Sequence, residues 1–172
     1  MAQPSINFGP KANQAVVSVH TLGVLTEILN NAGIASCLIT STSRTPADQA
    51  RIMFNNIVGK GVAPQKALYK APGKAVIDEY VKAKNAGKTG DQIKAAMEAK
   101  IRALGPDTVS KHCADPAILN VVDIAPSSLS NKTAFERATK SAQTKGAVSK
   151  FLTPGNNDPA YHLEIPQPKA VA

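Results

Sequence analysis

Three short stretches, the β-branched and apolar IASCLITSTS (34–43), AILNVVDIA (117–125) and the shorter YHLEI (161–165), stand far apart in a chain whose other patterned segments have helical spacing. Short runs of this kind bounded by turn residues read as strands. A few separated strands mixed with helices predict an α+β fold with a small, mainly antiparallel sheet flanked by helices.

The intervals support this reading. Over 13–31, Val16, Val19, Leu22, Leu25 and Leu29 recur every three or four positions, the spacing of an amphipathic helix closed by Gly33. A second helix starts at TPADQ, with Thr45 as N-cap, Pro46 in the first helical position and Asp48 in the first turn. From 59 to 105 the character turns to Lys and Ala with Gly and Pro punctuation. High helix propensity there predicts helices at about 74–85 and 90–104, the second capped by Thr89 or Asp91. We read 59–105 as a helical insertion in one domain spanning 1–172. A last helix begins after Ser130 or Asn131, with Ala134, Phe135, Ala138 and Ala142 on its apolar side.

Lys and Arg outnumber Asp and Glu by 20 to 12, and 60–111 holds eleven of the bases against five acids. A basic surface favours polyanions without naming one, and a solvated Lys-rich helical face accounts for it equally. Only Tyr69 and Tyr80 stand among these lysines, which argues against a platform of base-stacking aromatics for single-stranded nucleic acid, and no specific nucleic-acid partner is expected. Cys37 reads as a small buried hydrophobe, and Cys113 directly follows His112; a disulfide between them stays open. No secretory signal pattern is seen, and no apolar run approaches the roughly 18 residues of a membrane span. The expectation is a chain made in the cytoplasm, without a membrane span and monomeric.

Polar residues on or beside predicted strands carry the chemistry. Asp123 lies inside NVVDIA, where a carboxylate is costly unless paired or metal-bound. With His112 and His162 it would complete a two-imidazole, one-carboxylate set of the kind that holds zinc, provided the two strands are neighbours. The alternatives are an aspartate capping the turn at APSS and a hydrogen-bonded core histidine. Arg44 follows a strand at a helix N-terminus, an electrostatically poor place for a cation, which favours a functional role.

In combination these stretches resemble the zinc D-alanyl-D-alanine carboxypeptidases and L-alanyl-D-glutamate endopeptidases, peptidoglycan metallopeptidases whose fold is shared with the hedgehog signalling domain. Ser110-Lys111-His112 with Val121-Val122-Asp123-Ile124 is similar to the family's first metal motif, DPAYHLE (158–164) to its last, and TSTSRTPADQAR (40–51) to its substrate-binding strand and helix. Ten residues separate His112 from Asp123 where the family usually has six, and Pro159 stands where the family places its general base.

The resemblance implies zinc on His112, Asp123 and His162, with Asp158 as the base that takes a proton from water, or Glu164 in its place. It implies that Arg44 binds a substrate carboxylate or stabilises an oxyanion, and that Ser110 and Gln49 support substrate binding. The implied activity is zinc-dependent hydrolysis of a stem-peptide amide in bacterial peptidoglycan. Without a signal pattern, a phage endolysin or an antibacterial effector, acting on the wall after release or non-standard secretion, fits better than a resident periplasmic enzyme. The alternative is a non-catalytic, zinc-retaining wall-binding or virion structural module of the same fold. A basic nucleic-acid-associated protein ranks last.

Overall fold

A computed structural model describes residues 3–155 and 159–169. In chain order the elements begin with β1 (Ser5–Phe8), α1 (Val19–Ala32), β2 (Ser36–Ser41) and α2 (Pro46–Lys60). Next come α3 (Val62–Leu68), α4 (Ala71–Asn85), α5 (Gly90–Leu104) and α6 (Pro106–Val109). The last are β3 (Leu119–Ile124), α7 (Lys132–Thr144), β4 (Lys150–Leu152) and β5 (Tyr161–Pro166). They fall into two compact units, Met1–Ser43 with Asp115–Ala172, and Arg44–Ala114.

The first unit contains the sheet, with strand order β1-β2-β3-β5-β4. Only β1 and β2 run parallel, which α1 permits as the connection between them; the other pairs are antiparallel. The class is therefore α+β with a mainly antiparallel sheet. Alternation along the strands sends Cys37, Ile39, Val122, Ile124, Tyr161, Leu163 and Ile165 into one core with the apolar sides of α1 and α7. Asp123, His162 and Glu164 have the opposite parity, so they occupy the sheet's other face. Phe135 anchors the core, with ring centroids 5.1 Å from Tyr161 and 6.2 Å from Phe151. Asn120 shares the core side but is satisfied: its Oδ1 accepts from the Ser18 N–H at 2.8 Å and the Thr21 hydroxyl at 2.9 Å.

Helix α1 begins later than its apolar spacing suggests. The Ser18 hydroxyl accepts from the Thr21 N–H, so Ser18 caps the helix, while Val16 lies in a preceding 3₁₀ turn and Val19 is 87% exposed. The buried stripe is Thr21, Val24, Leu25, Ile28 and Leu29, and Gly33 ends the helix in a left-handed conformation at φ 66°. For α2, the Thr45 cap, Pro46 and Asp48 take the positions read from the sequence.

The helical unit has its own core, in which Met53 and Ile57 of α2 meet Val76, Ile77 and Tyr80 of α4 and Met97 and Ile101 of α5. The expected helices at 74–85 and 90–104 are α4 and α5, and Thr89 caps α5 through a reciprocal capping box with Gln92. The 59–105 segment thus belongs to a unit that also includes α2. Gly73 is needed where it stands: a Cβ there would lie 2.3 Å from the Tyr69 ring. No helix among the described residues is long and apolar enough to cross a membrane.

Candidate metal centre

β3 and β5 are adjacent, with Asp123 directly opposite His162 and Val121 opposite Glu164. On the far side of β5, Lys150 of β4 faces Glu164 and Leu152 faces His162. Cross-strand partners share a face, so the register alone aligns Asp123, His162, Glu164 and Lys150. β2 joins β3 through an irregularity between Ile39 and Ser41, where the ladder advances two residues against one; Ser41 pairs with Asp123, and the Thr40 hydroxyl donates to the Asp123 carbonyl at 3.3 Å.

Within this array His162 uses both ring nitrogens. Nδ1 lies 3.0 Å from Asp123 Oδ1, and Nε2 lies 3.4 Å from Glu164 Oε1. His162 is 8% exposed and Glu164 7%, while the Asp123 side chain keeps 13% of its surface. Burial by itself lowers the His162 pKa, but the hydrogen bond and charge of Asp123, followed by those of Glu164, outweigh it and leave the value raised. Lys150 Nζ sits 3.9 Å from Glu164 Oε1 and offsets part of the negative charge.

His112 sits in a 3₁₀ turn, Lys111–Cys113, and is 7% exposed. Its carbonyl accepts the Arg44 N–H at 2.6 Å, tying the turn to the start of α2. Ser110 closes the same turn by accepting the Cys113 N–H on its carbonyl at 2.9 Å. The long interval between His112 and Asp123 is taken up locally. Asp115 Oδ1 accepts from the Ala117 N–H, and the Asp115 carbonyl accepts from the N–H groups of Ile118 and Leu119, so a compact turn absorbs the extra residues before β3 begins.

One ligand atom from each of His112, Asp123 and His162 lies within 4.8 Å of the others. Two imidazoles and a carboxylate at that separation could hold a metal ion, and imidazole donors suit zinc, copper, iron or nickel better than magnesium or calcium.

Arg44 and Gln49 come together at the start of α2. Arg44 Nη1 donates to Gln49 Oε1 at 3.2 Å, with Gln49 only 1% exposed. The Cys113 thiol also faces Gln49 Oε1, at 4.0 Å, and burial pushes its pKa up to about 11 against the pull of Arg44, so it is protonated at neutral pH. Both cysteines are free. Tyr69 lies near this group: burial raises its pKa, with Arg44 and Gln49 opposing. Neither Tyr69 nor Lys150 stands out in the sequence, because a cross-strand neighbour and a helix-to-helix contact leave no local pattern. Asp158, the expected base, lies outside the described residues.

Fold and donor set together define an α+β protein with a largely buried His–Asp–His group that could hold a metal ion. No family model matches the chain, and neither a curated protein nor a solved structure is significantly similar to it.

Proposed function

We propose that the protein is a zinc-dependent peptidoglycan peptidase that hydrolyses an amide of the cell-wall stem peptide, of the D-Ala-D-Ala carboxypeptidase or L-Ala-D-Glu endopeptidase type. The observation that carries this reading is the convergence of His112, Asp123 and His162 within 4.8 Å, from the three positions that the motif resemblance singles out. His112, Asp123 and His162 would hold the ion, which supplies Lewis acidity and a water-derived nucleophile at neutral pH. Asp158 accepts the proton released as water adds to the amide carbonyl and returns it to the departing amine when the C–N bond breaks. Arg44, braced by Gln49, pairs with a substrate carboxylate or the developing oxyanion. Ser110 orients the loop that carries His112. The protein acts as a monomer on peptidoglycan, delivered as a phage endolysin or an antibacterial effector.

A second reading is a zinc-retaining, non-catalytic wall-binding or virion module; Pro159 at the family's usual base position favours it. Metal analysis of the purified chain with a peptide-release assay on muropeptides separates the two. Stoichiometric zinc with release that is lost in Asp158→Ala supports the peptidase. Zinc without release at any pH supports the module, and a chain that takes up no zinc sinks both.

A further inference from the structure

We propose that Glu164 is a positioning residue: its carboxylate holds the Nε2–H of His162, so that Nδ1, the nitrogen facing Asp123, is the one offered to the metal. This rests on the reading of His112, Asp123 and His162 as a metal-holding group, and it gives Glu164 a role distinct from that of a base.

His162 and Glu164 are two residues apart on β5 and share one face, so their side chains stand side by side. Glu164 Oε1 lies 3.4 Å from Nε2, whereas Nδ1 lies 3.0 Å from Asp123 Oδ1. A neutral imidazole has one protonated nitrogen and one free lone pair, and the partner of the protonated nitrogen decides which atom can coordinate. A carboxylate can only accept, and each ring nitrogen faces one; because Asp123 is itself a donor of the metal group, an ion shared by Asp123 and Nδ1 would displace a proton there and leave the ring's proton on Nε2, where Glu164 accepts it.

Burial makes the arrangement specific. At 7% exposure, a carboxylate without compensation would be costly, yet Glu164 has both the imidazole and Lys150 Nζ, 3.9 Å away, placed opposite it by the β4–β5 register. The two ring nitrogens point in diverging directions. A group engaged at Nε2 therefore lies on the side of the ring away from an ion on Nδ1, a poor position from which to take a proton from water.

The test uses the full chain. Chelator competition measures zinc affinity for the wild type, Glu164→Ala and Glu164→Gln, and long-range ¹H–¹⁵N NMR of the zinc-loaded wild type reports which His162 nitrogen keeps its proton. We expect Glu164→Ala to bind zinc about 10- to 100-fold more weakly, the range found when a ligand's hydrogen-bond partner is removed. Glu164→Gln, whose amide oxygen still accepts, should recover most of that loss. The NMR signature should be Nε2–H with a metal-shifted Nδ1. Wild-type affinity in Glu164→Ala, or a metal-bound Nε2, would overturn the assignment; the NMR arm decides it even if the alanine variant does not fold. A wild-type chain with no zinc affinity refutes the underlying metal reading instead.

Discussion

The two units of the chain divide its chemistry unequally. Residues 44–114 carry thirteen basic and six acidic side chains, whereas the rest of the chain carries seven and six, so nearly all of the +8 charge belongs to the helical unit. Its six acids each have a basic partner, commonly three or four residues along the same helix, as in Glu98–Arg102 at 2.7 Å. Lysines are left over, among them Lys70, the N-cap of α4, and Lys74 and Lys84, which fall about 80° apart on the circumference of α4 by helical geometry. In the strand-bearing unit charge is scarce, and two acids, Asp123 and Glu164, are placed against one imidazole in a largely buried array. The contrast teaches that net charge and reactive charge are separate properties: the first accumulates on exposed helices, the second is concentrated where strand register forces like charges together.

The strand-bearing unit and the helical unit each have a core of their own. Phe135→Ala removes the ring that joins α7 to Tyr161 and Phe151 and should cost about 3–5 kcal/mol in urea unfolding. Hydrogen exchange should show the loss mainly in the amides of Met1–Ser43 and Asp115–Ala172. Equal loss of protection in Arg44–Ala114 would show that the two cores unfold as one.

A smaller effect is expected from Gly73→Ala in the helical unit. The new methyl would collide with Tyr69, so a cost of about 1–3 kcal/mol is expected, with a changed Tyr69 environment visible in its NMR or ultraviolet signal. Unchanged stability would mean that Tyr69 moves aside freely.

Smaller still is the pH response of the metal-free protein. Because the folded His162 pKa is raised, its contribution is fully present below the unfolded value of about 6.5 and is lost as pH rises through the folded value. Zinc competes with that proton, so affinity should climb over the same interval. His162→Gln should flatten this part of the stability–pH curve; an identical curve would remove His162 as its source.

Replacing Lys70, Lys74 and Lys84 with Gln should leave stability nearly unchanged but lower the salt needed to elute the protein from phosphocellulose. The matched triple Lys132, Lys140 and Lys145 to Gln, in the other unit, should lower it less. Equal shifts would mean that the charge surplus does not make the helical unit the stickier surface.

Much of the architecture was legible because it is written in local patterns. The caps at Thr45, Thr89 and Asn131, the Pro46 start and the Gly33 stop are decided within one helical turn, and they located helix ends well. The beginning of α1 misled because Val16 and Val19 fit the spacing although the helix starts only after the Ser18 cap. β1 and β4, four and three residues long, are too short to show alternation and exist only because a neighbouring strand accepts them. In the site, Asp123 was conspicuous as a charge among apolar residues, and His162 and Glu164 were placed on one face by their spacing of two.

The α+β class, the helix boundaries set by caps, and the residue types from which a metal group could be assembled follow from local patterns along the chain. Tertiary structure alone decided that Asp123 lies opposite His162, that Lys150 reaches Glu164 and that His112 brings its imidazole into the group. The reason is physical. Propensity, capping and period act over a few residues, whereas register and side-chain convergence depend on which distant segments pair, and that pairing is decided by burying the shared core as a whole.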